Sequence, residues 1–176
     1  MRKFSIVAII TVCLFAAFGF KHAPSKKGKV KWQSTDSVTT RWQQNKKPII
    51  IDLYTDWCHY CKVMDNNTYS NDSLASFINE HYYAAKINAE SKKAFNWMGK
   101  EYKYINKFKI NQLAIELTKG NIVYPTTIIL PVEGEPQIIA GAQSVGEMEM
   151  ILKYFAGDYY GKTNWDDYVK GFKSAW

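Results

Sequence analysis

Short apolar runs, separated by turn residues and amphipathic stretches, set the pattern of this chain. The run Ile49–Tyr54 is apolar at almost every position, which predicts a strand buried on both faces at the centre of a sheet. A second run, Tyr82–Asn88, follows a helical segment, and such a crossover predicts that the two strands are parallel. Further runs at Thr126–Leu130 and Gln137–Ala140 flank a turn at 133–135. We therefore expect an α/β protein with a central mixed sheet flanked by helices.

Between these strands, apolar residues recur at helical spacing. The first helix is expected to run from Ser34, Thr35 or Asp36, the candidate N-caps, to about Asn45. Further helices are expected from Cys58 to near Asn66–Asn67, after residues 70–73, at Asn111–Leu117 and at Val145–Phe155. We interpret residues 90–119 as a helical insertion before the strand at Thr126. It could form a lid or a partner surface, and we favour a simple packing extension.

Residues 157–176 form a C-terminal extension rich in aromatic side chains. Asn164 is a candidate cap for a short amphipathic helix. The residues of this helix that we expect to dock on the domain are Trp165, Tyr168, Val169 and Phe172.

The N-terminal residues have the composition of a targeting segment. A basic start, Met1–Lys3, precedes the uncharged run Phe4–Phe20, and residues 17–19 offer a cleavage site, which predicts a signal peptide over residues 1–19. The run is near the lower length limit for crossing a bilayer, so an uncleaved anchor that tethers the protein to a membrane is the alternative. Residues 20–36 are rich in lysine and are expected to be a flexible basic linker. We expect an exported protein of the periplasm or cell envelope.

The charge distribution argues against nucleic-acid binding. The formal charge of the 176 residues is +7, and residues 1–31 hold seven basic residues and no acidic one, so the remainder is formally neutral. A nucleic-acid partner needs a basic face on the folded part of a protein, which this count does not indicate. The length suits one domain, which we assign to residues 37–156.

The strongest chemical signal is the sequence Trp57-Cys58-His59-Tyr60-Cys61-Lys62, directly after the first strand. A helix N-terminus offers unpaired N–H groups and a positive dipole end, and both favour a thiolate at Cys58. Cys61 lies one helical turn away, where it can resolve a mixed disulfide. Zinc would need four ligands and haem attachment a His after Cys61, so a redox dithiol without metal or organic cofactor is expected.

Two distant positions extend this motif to a family pattern. Asp52 lies inside the buried strand, where a carboxylate is costly unless it has a task, and Tyr124-Pro125-Thr126 opens a later strand. Together with the pattern Asp–x4–Trp-Cys-x-x-Cys-Lys, these residues resemble the thioredoxin superfamily over about residues 37–156. Cys61-Lys62-Val63-Met64 is similar to its exported thioredoxin-like branch.

The resemblance implies a thioredoxin fold and a role for each residue of the site. Cys58 would be the exposed nucleophile, Cys61 the buried resolving thiol and Asp52 the acceptor of the Cys61 proton. A cis Pro125 would expose the backbone of Tyr124 to an extended substrate. The residues expected to bind substrate are Trp57, His59, Tyr60, Tyr124 and Pro125.

We therefore expect a monomeric thiol–disulfide oxidoreductase of the bacterial envelope that reduces or isomerises disulfides. Its partners would be disulfide-bearing proteins and a redox partner protein. The first alternative is a thioredoxin-fold binding or chaperone-like module with incidental redox activity, whose function would survive Cys58→Ala. The second is a structural module whose Cys58–Cys61 disulfide is inert.

Overall fold

The computed structural model describes residues 28–157 and 159–176, and the predicted signal peptide lies outside them. The helices are α1 (Thr35–Gln44), α2 (His59–Asn67), α3 (Asp72–His81), α4 (Gln112–Leu117), α5 (Val145–Ala156) and α6 (Trp165–Gly171). The strands are β1 (Ile49–Tyr54), β2 (Tyr83–Asn88), β3 (Phe95–Trp97), β4 (Lys100–Tyr102), β5 (Tyr104–Ile105), β6 (Ile110–Asn111), β7 (Thr126–Leu130) and β8 (Gln137–Ala140).

The central sheet has the strand order β2-β1-β7-β8. Strands β1 and β2 are parallel, whereas β7 pairs antiparallel with both β1 and β8, which confirms the mixed sheet expected from the apolar runs. Side chains alternate across the central strand. Ile49, Ile51 and Leu53 join a core with α1 and α4, and Ile50 joins a second core with α2, α3 and α5. The sheet is therefore covered by helices on both faces.

The linker predicted for residues 20–36 is wrong from residue 28 onward. The backbone N–H of Gln33 donates to the carbonyl of Ala84, and Val30 is buried in the second core. Gly28 is held by the carboxylate of Asp72, to which its N–H donates at 2.8 Å. The lysine-rich composition suggested a linker, but the lysines are exposed while the residues between them face the protein.

The helical interpretation of residues 90–119 is wrong up to residue 111. Two antiparallel hairpins, β3–β4 and β5–β6, occupy this stretch, and only α4 is helical. Trp97 pairs with Lys100, so Met98 and Gly99 form a two-residue turn, with φ angles of 50° and 82°. Positive φ at both positions is the signature of a type I′ turn, whose twist matches that of a hairpin. A right-handed helix cannot continue through two such residues. The helix predicted at Asn111–Leu117 is present, with Asn111 as its N-cap.

The C-terminal extension packs against α5, as expected in part. Asn164 caps α6, and the hydroxyl of the buried Tyr168 donates to the carbonyl of Met150. Val169 is exposed, so its predicted docking is wrong. Beyond α6, the backbone N–H groups of Ala175 and Trp176 donate to the fully buried carboxylate of Glu149.

In the described part of the chain, no helix combines the length and the apolarity needed to cross a membrane.

Candidate active site

The two cysteines of the motif lie where β1 leads into α2. After β1, the N–H of Cys58 donates to the carbonyl of Thr55 at 3.2 Å and closes a tight turn. Cys58 is the N-cap of α2, and its Sγ accepts a hydrogen bond from the N–H of Cys61 at 3.0 Å. Cys58 and Cys61 form a disulfide. The sequence thus places a redox-capable pair at the positive end of a helix.

Cys58 is buried, contrary to the expectation of an exposed nucleophile. Its exposed fraction is 4%, against 3% for Cys61. As the N-cap residue, Cys58 turns its side chain back over the first turn of α2, where the sulfur meets the N–H of Cys61. The two cysteines therefore differ little in exposure in the disulfide form.

Exposed aromatic side chains flank the disulfide. Trp57 and Tyr60 are each 65% exposed, and His59 is exposed between Cys58 and Tyr60. The indole of Trp57 meets the ring of Tyr124 edge-on at 5.9 Å, and its Nε1–H donates to the carboxylate of Glu90 at 3.0 Å. Trp57 and Tyr124, far apart in sequence, are therefore brought together beside the dithiol.

The loop before β7 has the expected backbone. The Tyr124–Pro125 peptide bond is cis, and the carbonyl of the buried Pro125 accepts a hydrogen bond from the N–H of Gly141 at 2.8 Å. Burial of its phenol, together with the negative charge of Glu90, raises the pKa of Tyr124 to about 12. Tyr124 is therefore uncharged at physiological pH.

Asp52 lies on the face of the sheet that is covered by α2. It is 2% exposed, and burial raises its pKa from the ordinary 3.8 to about 6, although the charge of Lys86 acts in the opposite direction. The ammonium group of Lys86 lies 2.7 Å from a carboxylate oxygen of Asp52 and also contacts Asp65 on α2. Asp52 is thereby linked through one cation to the helix that carries Cys61.

Sequence reasoning missed Lys86. In the parallel register of β1 and β2 it stands directly opposite Asp52, so the strand pairing was the signal that could have found it. Its ammonium also lies 4.9 Å from the ring centroid of Tyr54 and 5.6 Å from that of Trp32. Burial alone would lower the pKa of Lys86, but the charge and hydrogen bonds of the two carboxylates raise it overall. Lys86 is therefore a firmly protonated partner of Asp52.

One polar group near the disulfide has no partner in the described structure. Thr55 is 1% exposed, and its hydroxyl makes no hydrogen bond among the described residues, although its carbonyl holds Cys58. In the same part of the chain, no cluster of three or more histidine, cysteine, aspartate or glutamate side chains is arranged to hold a metal ion.

A comparison with protein families decides the classification. The model of a thioredoxin-like domain matches residues 36–156, which include both cysteines, Asp52 and the cis-proline. The chain belongs to the thioredoxin-like family. Its Cys58–Cys61 pair is typical of a thiol–disulfide oxidoreductase. The resemblance of the sequence to the thioredoxin superfamily is confirmed.

Solved structures share the fold of this thioredoxin-like protein at low sequence identity. A thioredoxin-fold protein from Helicobacter pylori is 17% identical with a TM-score of 0.55, covering 72% of this chain and 80% of that one. The DsbH oxidoreductase is 15% identical with a TM-score of 0.56, covering 76% and 89%. A thioredoxin from Thermus thermophilus is 13% identical with a TM-score of 0.51, covering 71% and 85%.

One curated relative matches a short segment of the chain. An uncharacterized protein of Caenorhabditis elegans, B0495.5, is 30% identical over 50 residues. The match covers 28% of this chain and only 7% of the length of that protein. It therefore adds nothing to the function beyond a shared segment.

Proposed function

We propose that this protein reduces or isomerises disulfides in protein substrates through Cys58 and Cys61, within the bacterial cell envelope. The observation that carries the proposal is the Cys58–Cys61 pair at the N-terminus of α2, in a domain of the thioredoxin-like family. A buried base, Asp52, on the same side of the sheet and exposed aromatic residues beside the pair support a role in catalysis rather than in stability alone.

The reaction begins with the reduced protein. The Cys58 thiolate attacks one sulfur of a substrate disulfide, so that a Cys58–substrate bond forms while the substrate S–S bond breaks and its second sulfur leaves and takes up a proton. The N–H of Cys61 and the dipole of α2 stabilise negative charge on Cys58. Thiolate formation at the N-cap therefore prepares the first step.

Cys61 completes the exchange. Its thiolate attacks Cys58, the mixed disulfide breaks, and the substrate leaves with both sulfurs reduced. The substrate gains two electrons and two protons, and the protein is left as the Cys58–Cys61 disulfide. A second dithiol protein, acting as electron donor, restores the reduced form by the same exchange in reverse.

Asp52 is proposed to accept the proton of Cys61. Its pKa of about 6 makes it mostly ionised at neutral pH yet basic enough to take a proton, which an ordinary aspartate is not. Lys86 sets this balance, because its positive charge keeps the pKa of the buried carboxyl from rising further.

Substrate binding is assigned to the surface around the disulfide. Trp57 and Tyr60 present exposed rings, with His59 between Cys58 and Tyr60. The backbone at Tyr124 and Pro125, just before β7, is where an extended chain can pair. Backbone pairing tolerates many side chains, which suits an enzyme that acts on several proteins. The expected N-terminal signal peptide supports the envelope location, and the sequence resemblance supports the reductive direction.

The test is catalysed reduction of a protein disulfide, with insulin as substrate and dithiothreitol as electron donor. The wild type should turn over, and Cys58→Ser should lose all activity because the nucleophile is gone. Cys61→Ser should instead accumulate a mixed disulfide at Cys58, visible as an added mass that a reductant removes. No turnover by the wild type would favour the binding module, and full activity of Cys58→Ser would refute exchange at Cys58.

A further inference from the structure

One short part of the folded domain concentrates positive charge. Residues 92–109, here termed the lysine arm, contain six lysines and one glutamate, a net charge of +5. Residues 32–176 are formally neutral as a whole, so the remainder of this part of the chain has a net charge of −5. The neutral total therefore conceals a strong separation of charge.

The structure leaves most of this charge uncompensated. Among the described residues, no carboxylate lies within ion-pair distance of Lys92, Lys93, Lys107 or Lys109. Lys103 pairs with Glu101 at 2.9 Å, but both side chains are exposed and such a pair contributes little. The arm therefore presents a positive surface to solvent.

An apolar side chain stands in the middle of this positive surface. Phe108 is 63% exposed on the loop between β5 and β6, flanked in sequence by Lys107 and Lys109. At the base of the same hairpin, a cleft of about 360 Å³ is lined by Lys92, Lys103 and the polar side chains of Tyr104 and Asn106. An exposed aromatic ring within a charged rim is the arrangement of an interface anchor, and a cleft lined by two lysines suits a carboxylate.

The lysine arm is fixed beside the disulfide. Glu90, immediately before the arm, accepts the hydrogen bond of Trp57, the residue next to Cys58. Asn111, immediately after it, donates its backbone N–H to the carbonyl of Ala89 and its side-chain amide to the carbonyls of Ser91 and Lys93. Both ends of the arm are therefore tied together at the end of β2 that lies on the active-site side of the sheet.

We propose that the lysine arm docks an acidic surface of the protein whose disulfide exchanges with Cys58. This inference rests on the proposed function and adds the substrate class, namely proteins with acidic residues near their reactive disulfide. Complementary charge raises the association rate, and Phe108 supplies the apolar contact that holds the complex. A protein partner is favoured over a membrane because the arm is joined to Trp57, so a partner held by the arm meets the dithiol.

The test compares two disulfide peptides that differ only in charge. Each is closed by one disulfide, one flanked by four aspartates and the other by four serines, and the full chain reduces them with dithiothreitol as donor. At about 0.02 M salt, where screening is weak, the acidic peptide should have a kcat/KM at least about 10-fold higher. At about 0.5 M salt the preference should largely disappear.

Two matched variants assign the preference to the arm. Lys107→Glu with Lys109→Glu should abolish it or reverse it. Lys170→Glu with Lys173→Glu changes the net charge equally on the opposite face of the sheet and should retain it. Phe108→Ser should weaken binding of the acidic peptide, seen as a higher KM, while kcat stays near that of the wild type.

Three results would overturn the inference. They are equal rates with both peptides at low salt, equal loss in both double variants, and arm-dependent binding to phosphatidylglycerol vesicles without a preference for the acidic peptide. The wild-type salt dependence decides the question even if a variant fails to fold. Failure to reduce the serine peptide as well would instead refute the proposed function, so the two failures are distinguishable.

Discussion

The ionisation of Asp52 should make the folded protein less stable as the pH rises. The carboxyl is 2% exposed, and its pKa in the folded protein is about 6, against an ordinary value of 3.8. Below pH 3.8 the group is protonated in both states and has no effect. Between pH 3.8 and 6 the unfolded chain loses the proton first, so the free energy of unfolding falls, and above pH 6 the loss is complete.

The magnitude follows from the shift. About two pKa units at 1.36 kcal/mol each correspond to about 3 kcal/mol of stability lost between pH 4 and pH 7. Asp52→Asn has no carboxyl to titrate, keeps nearly the same shape and leaves Lys86 with Asp65 as partner. The variant should therefore gain about 3 kcal/mol relative to the wild type across this pH window.

The assay is urea unfolding of both oxidised proteins at several pH values from 3.5 to 8. The control is Asp65→Asn, which removes the other carboxylate on Lys86 but keeps Asp52, and it should retain the fall in stability with pH. A difference between Asp52→Asn and the wild type that stays constant, or narrows as the pH rises, would refute the reasoning.

Three further substitutions test other parts of the structure. Thr55→Val replaces a buried hydroxyl that has no partner in the described structure and should raise the free energy of unfolding by about 1–3 kcal/mol; a decrease in urea unfolding would contradict this. Burial alone would raise the pKa of Glu149, but hydrogen bonds from Lys153, Ser174 and two backbone N–H groups lower it overall. Glu149→Gln should therefore lower the free energy of unfolding by about 1–3 kcal/mol at pH 7 and by less at pH 3. The variant should also be cleaved faster by proteases after α6. Lys86→Met removes the charge that lowers the pKa of Asp52, so that pKa, followed by NMR of the carboxyl carbon, should rise above about 6; an unchanged value would show that Lys86 does not act on Asp52.

The sheet and the dithiol could be predicted because their signals are local in sequence. A central strand buried on both faces must be apolar along its whole length, so Ile49–Tyr54 was readable without knowledge of its neighbours. Cys58 and Cys61 are adjacent through helix geometry, and Pro125 was recognised through its sequence context. Each of these features needs only a few consecutive residues.

The errors fall where structure depends on distant pairing. Phe95, Trp97 and Tyr102 fall within the stretch expected to be helical, but they belong to a hairpin whose turn at Met98–Gly99 has no strong sequence signature. Lys86 becomes a partner of Asp52 only in the register of β1 and β2. The positive charge of the lysine arm could not be detected from the net charge, because the negative charge of the remaining residues cancels it.

The most direct test of the central claim is the redox equilibrium of the Cys58–Cys61 pair. The protein without residues 1–19, which also removes Cys13, would be equilibrated in glutathione and dithiothreitol buffers, with Trp57 fluorescence as the probe and alkylation to count thiols. We predict one two-electron transition between about −120 and −270 mV, the range of disulfide-exchanging proteins. A pair that remains oxidised below about −300 mV would be a structural disulfide and would contradict the account.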